Sequence, residues 1–546
     1  MRRWKQWQPI LLVVAFTLAI ALSNCNNSTN QVANSPSVAV AGALVYGASG
    51  DPVNLEPGNI TDGNSLIIHN QIYERLLAYK PGTIETKPGL ATEWNATEGG
   101  KIWTFKLRSG VKFHDGTDFD AEAVKFNVER WWDQKNAFGY RDAGKAYEIW
   151  GSLFGGYKGS PDSLLQEVVT EGKDTIKFVL KQPFAAFPAA IGSGYFGIAS
   201  PTAIKKAQVK YGTPSSIAVG TGPFILKEWR IGDRIVLTKN PNYWHQGFPK
   251  SEQLVMRFVT DPAARLAQLR AGTLDLTVDL SPDQLKELQQ DANLKAVFRP
   301  SFNVGYLALN PSYEPFKKVE VRQAIATAIN KQEIVKAFWG QLGEYNPHFL
   351  PPALKQFEAG SLNEYKYDPQ KAKQLLAAAG YPNGFDLQMW YMPVGRMYYP
   401  TPKPIAEAFA ADLNAIGIKV SLQTKDWTAY LADRNKPPGY QAFMMGWTGD
   451  YGDPDNFFSS HFGPGSTADI GNWKNDLVFQ LLAQGRSNSN SAERTKIYQQ
   501  VDDILNKQVL RLPIVHSQPL NAQRQNVNGW QPSPLGTEPL DSVSKA

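Results

Sequence analysis

The chain has 546 residues and contains 56 lysines and arginines against 50 aspartates and glutamates, which gives a formal net charge of +6. No stretch concentrates the positive charge, and this near balance excludes a protein that binds nucleic acid through a dense basic surface. Single hydrophobic cores stop growing at about 250 to 300 residues, so the length predicts more than one domain.

The first residues have the pattern of a secretory signal peptide. Arg2, Arg3 and Lys5 precede an apolar run over residues 10–22, which is about half as long as a helix that crosses a bilayer. The pattern predicts export and removal of residues 1–24. Loss of these three bases, and of no acid, leaves 53 basic side chains against 50 acidic ones.

The only cysteine, Cys25, stands at the end of the sequence LSNC. This sequence resembles a bacterial lipobox, whose cysteine is acylated, and it predicts a lipid anchor to the membrane. Asn24 stands where a lipobox has a small residue, so plain cleavage that leaves a free thiol remains the alternative. One cysteine allows no internal disulfide. Residues 25–42 are small and polar, as expected of a tether.

The first half of the folded chain is predicted to contain an antiparallel sheet and a hairpin. Trp103, Phe105 and Leu107 alternate with more polar residues, which predicts a strand. Asp120 precedes an amphipathic segment and is placed to cap a helix. Two alternating runs on either side of Gly232 predict the hairpin.

Two local motifs in this half are weak signals of other chemistry. His114 and Asp115 form a single dipeptide in a chain with six scattered histidines, so we interpret them as a turn with a hydrogen-bonded histidine rather than a metal site. Gly220, Thr221 and Gly222 precede neither a helix nor the lysine of a phosphate-binding loop. The sequence therefore predicts no metal and no cofactor.

Residues 385–458 alternate between strand-like and helix-like segments. Apolar runs at 385–392, 418–422 and 440–447 are separated by two amphipathic segments. This order predicts a parallel sheet with right-handed crossovers.

Arg396 and Asp450 lie in the loops that follow the first and the third of these strands. Open α/β sheets bind their ligands at the carboxyl ends of parallel strands, so both side chains are expected at one crevice. A guanidinium suits a carboxylate and a carboxylate suits an ammonium group, so the pair suits a small zwitterion. Taken singly, such side chains are more often solvated or locally paired, and that interpretation stays open.

Five segments carry a family resemblance. They are WTFKLRSGVKFHDG at residues 103–116, GTGPFILKEW at 220–229, NVGYLALN at 303–310, WYMPVGR at 390–396 and MMGWTGDYGDPDNFF at 444–458. In this order they resemble the peptide and nickel solute-binding proteins of ABC importers, and within them the periplasmic dipeptide-binding proteins. The resemblance extends from about Leu44 to the carboxyl terminus.

The resemblance implies an α/β chain with the periplasmic binding protein type II fold. In that fold, two main lobes share an interleaved chain and a hinge, and a smaller domain is inserted. The predicted parts are a signal peptide (1–24), a tether (25–42), domain I (43–74, 220–302 and 520–546), inserted domain II (75–219) and domain III (303–519). Two crossings between the large domains make a hinge that suits closure around a solute.

The resemblance also implies a function and a binding site. It implies capture of short peptides, dipeptides above all, outside the inner membrane and their delivery to the permease of an ABC importer by a lipid-anchored monomer. Asp450 is implied to hold the amino terminus of the peptide and Arg396 its carboxylate. The other predicted ligand-binding residues are Tyr306, Tyr398, Trp447, Thr448 and Gly449.

Two alternatives remain. Relatives carry nickel with a chelator, haem, glutathione or oligopeptides, and the same transport class with such a cargo stays open. Asp450, Asp453 and Asp455 lie close together and suggest a carboxylate-dependent hydrolase or a calcium loop. Their spacing differs from that of a calcium hand, and no nucleophile motif accompanies them. We therefore expect a binding protein and not an enzyme.

Overall fold

The computed structural model describes residues 42–546. The predicted signal peptide and the predicted lipid attachment at Cys25 lie outside these residues.

The strands of the described chain are numbered in chain order. They are β1 (Ala43–Ala48), β2 (Leu77–Tyr79), β3 (Thr86–Pro88), β4 (Ala91–Thr97), β5 (Ile102–Leu107), β6 (Leu165–Thr170), β7 (Thr175–Leu180), β8 (Phe224–Arg230), β9 (Arg234–Lys239), β10 (Gln253–Phe258), β11 (Leu276–Leu280), β12 (Leu294–Phe298), β13 (Asn303–Leu309), β14 (Gly343–Glu344), β15 (Asp386–Trp390), β16 (Lys419–Gln423), β17 (Ala442–Thr448), β18 (Arg511–Ser517), β19 (Leu520–Arg524), β20 (Val527–Asn528) and β21 (Ser544–Lys545).

The α-helices are numbered in the same way. They are α1 (Gly63–Ile72), α2 (Ala121–Trp132), α3 (Glu148–Leu153), α4 (Phe187–Ile191), α5 (Pro201–Ala207), α6 (Pro262–Arg270), α7 (Leu285–Gln289), α8 (Glu314–Lys317), α9 (Val319–Ala328), α10 (Lys331–Trp339), α11 (Pro369–Ala378), α12 (Pro402–Ala415), α13 (Trp427–Arg434), α14 (Asp455–Phe462), α15 (Asp476–Ser487) and α16 (Ser491–Gln508).

Three large sheets organise these elements. A seven-stranded sheet has the order β12-β19-β11-β1-β10-β9-β8, and a six-stranded sheet has the order β14-β18-β13-β17-β15-β16. The third sheet, β4-β5-β7-β6, is antiparallel throughout. Each predicted domain contains one of these sheets, and the division into domains remains a prediction. The chain crosses between the two largest sheets at residues 299–302 and again at residues 518–519.

The parallel arrangement predicted for the central stretch is confirmed. Strand β15 pairs in parallel with both β16 and β17, and α12 and α13 form the connections. The buried face of α12 carries Ile405, Phe409 and Leu413 at helical spacing. Gly417, with a φ of +95°, then turns the chain back into β16 in a conformation that favours glycine.

Local predictions elsewhere are also confirmed. The side chain of Asp120 accepts a hydrogen bond from the Ala123 amide at the start of α2. Strands β8 and β9 form the hairpin on either side of the turn at Gly232.

Strand β18 contains Pro513, whose missing N–H falls at a register shift against β13. Both β13 and β18 are buried along their whole length.

A buried ion cluster joins the loop before α1 to the domain around the four-stranded sheet. The carboxylate of Glu56, 1% exposed, accepts hydrogen bonds from Arg130 and Lys145. The Tyr147 hydroxyl donates to the same carboxylate at 3.1 Å. The positive charges of Arg130 and Lys145 are therefore both paired with one buried carboxylate.

We expect Glu56→Gln to lower the free energy of unfolding by about 3 kcal/mol, because it leaves two buried cations without their anion. Urea unfolding followed by tryptophan fluorescence measures this loss. Glu85→Gln is the matched control: Glu85 pairs with Lys80 at the surface, where the two side chains are 64% and 56% exposed, and its loss should stay below about 1 kcal/mol. Equal losses in both variants would show that the Glu56 cluster contributes no more than a surface pair.

Candidate ligand-binding cleft

A cavity of about 590 Å³ lies where loops from all three large sheets meet. Its volume is within the range of small-molecule sites. The lining includes residues 62–64, 66–67, 193–195, 396–398 and 445–450, together with part of the first crossing segment. Six of the seven residues predicted to bind ligand line this cavity: Arg396, Tyr398, Trp447, Thr448, Gly449 and Asp450.

Asn456 fixes the position of Asp450. Its side-chain oxygen accepts from the Asp450 amide at 2.8 Å and from the Trp447 indole at 3.1 Å. Its amide nitrogen donates to the Asp450 carboxylate at 3.4 Å. The Ser193 hydroxyl, from the segment before α5, donates to the Asp450 carbonyl at 2.8 Å. The loop after β17 is therefore held from both sides.

The carboxylate of Asp450 lacks a cationic partner among the described residues. Burial raises its pKa from the ordinary 3.8 to about 6, and the hydrogen bond from Asn456 offsets only part of this shift. A cation that enters the cavity would stabilise the ionised form of this half-buried carboxylate.

The two acids that follow Asp450 face away from the cavity. Arg494 donates to both carboxylate oxygens of Asp453, at 2.6 and 2.7 Å, in a buried pair. Asp455 accepts from the Tyr451 and Ser459 hydroxyls at 3.0 and 2.5 Å. The three acids thus have separate surroundings and form neither a calcium loop nor a carboxylate cluster.

Arg396 lies on the loop after β15 and lines the same cavity. Reciprocal backbone hydrogen bonds of 2.9 and 2.8 Å with Tyr399 close this loop. Its side chain is exposed, and the guanidinium lies 5.3 Å from the ring centre of Trp427. Within residues 42–546, no carboxylate comes within 4 Å of the guanidinium. Arg396 also borders a neighbouring cavity of about 410 Å³, together with Trp339 and Asp279.

Two glycines make room for Tyr398 beside the cavity. Gly305 on β13 lies directly opposite Gly446 on β17. A Cβ atom at Gly446 would lie 2.3 Å from the ring of Tyr398. A Cβ atom at Gly305 would lie 2.7 Å from the Tyr398 carbonyl oxygen. Tyr398 therefore packs against the sheet only because both positions lack side chains.

Tyr306 does not line the cavity, so the prediction that it does is wrong. Side chains alternate along β13, and Tyr306 projects from the face opposite to that of Gly305. There it is 1% exposed and packs against Phe349 and His461, with ring centres 5.5 and 5.8 Å apart. It belongs to the core below the site.

Several cavity residues come from segments that the sequence analysis did not select. Asp62, Tyr195, Asp279 and Arg299 all line the cavity. Arg299 donates to the buried carboxylate of Glu538 at 2.6 Å. The sequence signal for Asp62 is that of a helix cap, which it is: it accepts from the Ser65 amide at 2.9 Å. That signal does not reveal that the residue also faces a cavity.

The His114 dipeptide forms a turn. The His114 Nε2 atom lies 3.0 Å from the Gly222 carbonyl, and burial lowers the pKa of the imidazole to about 4.

Residues 42–546 contain no group of three or more metal-ligating side chains. In the same part of the chain, no helix combines the length and the apolar character that crossing a bilayer requires.

Comparison with known proteins gives one consistent result. The model of the bacterial extracellular solute-binding proteins, family 5 (middle region), matches residues 85–469. The dipeptide-binding protein of Escherichia coli K12 is 33% identical, over 92% of this chain and 95% of the relative. Heme-binding protein A of Haemophilus influenzae is 33% identical over 98% of both chains. The crystal structure of a Pseudoalteromonas dipeptide-binding protein with Met-Leu has a TM-score of 0.76, with 30% identity and coverage of 92% of this chain and 100% of that one.

The raised pKa of Asp450 predicts a pH-dependent stability of the empty protein. The pKa of Asp450 is higher in the folded chain, at about 6, than its ordinary value of 3.8 in the unfolded chain. The free energy of unfolding is therefore unaffected well below pH 3.8, falls as the pH rises from 3.8 to about 6, and stays lowered above about pH 6. Asp450→Asn should therefore raise the free energy of unfolding by about 1–2 kcal/mol near neutral pH and by much less at about pH 4. Urea unfolding at both pH values measures the difference.

The control for this experiment is Asp503→Asn. Asp503 pairs with Lys507 on the exposed face of α16 at 2.6 Å, and its replacement should change stability little at either pH. A gain from Asp450→Asn that persists unchanged at about pH 4 would refute the electrostatic explanation.

Proposed function

Because this chain belongs to the bacterial extracellular solute-binding proteins, family 5, we propose that it captures dipeptides by their two charged ends and delivers them to an ABC permease. Its architecture is the α/β type II fold of periplasmic binding proteins, as predicted. The observation that carries the proposal is that the carboxylate of Asp450 and the guanidinium of Arg396 line the same cavity and that neither has an ion-pair partner within residues 42–546.

The charges fit the two ends of a free peptide. Asp450 would accept from the α-ammonium group, and Arg396 would donate two parallel hydrogen bonds to the α-carboxylate. Micromolar affinity requires about 8 kcal/mol. A closed cavity strengthens both contacts because it removes the water that otherwise competes for them.

The middle of the peptide would lie between aromatic walls. Trp447 and Tyr398 both line the cavity and offer large apolar faces with polar tips. Such walls accept side chains of different shapes, so the charged ends supply most of the selectivity for peptides as a class. Recognition of this kind needs no reactive group, in agreement with a transport role.

A longer cargo is the second candidate, and the position of Arg396 favours it. This residue borders both the main cavity and the neighbouring one of about 410 Å³. Since its guanidinium is held by no carboxylate of the described chain, a displacement of the side chain would connect the two spaces. A tripeptide or glutathione would then extend past it.

The proposal includes the location of the protein and its attachment to the membrane. After export, acylation of Cys25 would tether a monomer to the membrane through residues 25–42, within reach of the permease. The alternative of a carboxylate-dependent hydrolase is disfavoured, because Asp453 and Asp455 are engaged by Arg494, Tyr451 and Ser459. The relatives reported above are named as binding proteins.

Calorimetric titration with Ala-Ala tests the proposal. We expect the free dipeptide to bind, and its N-acetylated and amidated forms to bind at least tenfold more weakly, because each loses one charged end. Asp450→Asn and Arg396→Met should each weaken Ala-Ala binding at least tenfold. The matched controls Asp503→Asn and Arg230→Met change residues that lie in surface ion pairs and should keep the affinity.

Tripeptide Ala-Ala-Ala and glutathione complete the series. Tighter binding of either one than of Ala-Ala would retain the transport role and change the cargo. Equal binding of the blocked and free dipeptides would refute recognition through charged ends.

Dipeptide affinity should also depend on pH. A bound ammonium group lowers the pKa of Asp450 below its value of about 6 in the empty site. The association constant should therefore be constant near neutral pH and fall by up to about tenfold for each pH unit below 6. In Asp450→Asn the same titration should be flat, and a matching decline in that variant would assign the effect to another group.

A further inference from the structure

The charged side chains that line the main cavity do not balance. They are Asp62, Asp279, Arg299, Arg396 and Asp450. Arg299 donates to Glu538 at 2.6 Å, and these two charges cancel. Asp279 lies 3.8 Å from Arg299 and its side chain is 41% exposed, so water solvates this carboxylate and it is left out of the balance. What remains is Arg396 against two carboxylates, those of Asp62 and Asp450.

A dipeptide with an uncharged side chain leaves one of these two carboxylates without a positively charged partner. Its two ends would pair with Asp450 and Arg396, and Asp62 would then face a closed cavity without a cation. An uncompensated charge is costly in such surroundings, whereas a buried charge with good partners is tolerated. The peptide that completes the charge balance therefore carries one additional positive charge.

The surroundings of Asp62 show a free acceptor. One carboxylate oxygen, Oδ1, caps α1 by accepting from the Ser65 amide at 2.9 Å. The other, Oδ2, is buried and has no hydrogen-bond partner within residues 42–546. Buried carboxylate oxygens are normally satisfied. Because Asp62 lines the cavity, a small rotation of its carboxylate would let this oxygen accept a hydrogen bond from a ligand.

Asp62 and Asp450 act on the same part of the cavity. Burial raises the pKa of the Tyr195 hydroxyl, and the carboxylates of Asp450 and Asp62 raise it further. Both charges are thus within electrostatic reach of one side chain. The Gly58 amide, in the loop that leads to Asp62, donates to the Tyr195 carbonyl at 2.8 Å, and the Ser193 hydroxyl donates to the Asp450 carbonyl at 2.8 Å. Segment 193–195 therefore links the surroundings of the two acids, and a cation held by Asp62 would lie at the Asp450 end of the cavity.

We propose that Asp62 is a specificity-determining residue that binds a cationic side chain, so that dipeptides with lysine or arginine in the first position are the preferred cargo. This inference rests on the proposed function. The long, flexible stem of lysine lets its ammonium group reach an anion away from the backbone of the peptide. Acidic first residues bind least well, because they add a second negative charge beside Asp62.

A pair of dipeptides of equal shape tests this inference. Lys-Ala and norleucyl-Ala have side chains of similar length and differ in the ammonium group. By calorimetric titration near neutral pH, the wild-type protein should bind Lys-Ala at least tenfold more tightly than norleucyl-Ala. Asp62→Asn should reduce this ratio to about one, and the Asn side chain still caps α1 because Asn and Asp are equally good caps.

Asp120→Asn is the matched control. Asp120 caps α2 in the same way, by accepting from the Ala123 amide at 3.0 Å, and it does not line the cavity. This variant should keep the tenfold preference. Circular dichroism of both variants checks that the caps are preserved.

The outcomes separate the inference from the function on which it rests. Equal wild-type affinities for the two dipeptides, or a preference that survives in Asp62→Asn, would overturn the role of Asp62 and leave dipeptide capture intact. Absence of binding of Lys-Ala, norleucyl-Ala and Ala-Ala alike would overturn both. A wild-type preference that is lost only in Asp62→Asn supports the assignment.

Discussion

The parallel pairing of β15 with β17 is the constraint on which the binding cleft depends. Because the two strands run in the same direction, the loops that follow them emerge at one edge of the sheet. One loop carries Arg396 and the other Asp450, and both line the same cavity. An antiparallel pair would have sent these charges to opposite edges. The glycine pair Gly305 and Gly446 leaves the space that Tyr398 occupies against the sheet.

The burial of the Asp450 carboxylate carries an electrostatic cost that the proposed ligand would remove. Asp450 is half-buried, and Asn456 supplies hydrogen bonds but no positive charge. By contrast, Asp453 in the same loop has a bidentate arginine and is part of the framework. The difference between these neighbouring acids lies in their partners, and a carboxylate that the protein leaves unpaired is the one available for binding. The same reasoning distinguishes Asp62 from Asp120, since both cap helices and only Asp62 faces the cavity.

The sequence predicts the elements of this fold well where one periodic pattern decides the structure. Residues 385–448 have regular apolar spacing, so their strands, helices and direction of pairing follow from it. Tyr306 shows the limit: β13 is buried on both faces, and a fully apolar strand does not reveal which side chains face the cleft. Asp62 and Arg299 were missed for another reason. They reach the cavity through long-range packing, and their local sequence shows only a helix cap and the end of a strand.

Under the proposed function, closure of the lobes and binding of the ligand are linked through the loop of Asp450. The Ser193 hydroxyl donates to the Asp450 carbonyl, so a segment near the four-stranded sheet contacts this loop. Closure also removes water from the unpaired charges of the site, which opposes it when the cavity is empty. A zwitterionic ligand reverses this balance because it supplies the missing counter-charges, and the closed state is then favoured by the difference in affinity between the two states. Under the proposed function, the unpaired carboxylate of Asp450 thus disfavours closure without cargo.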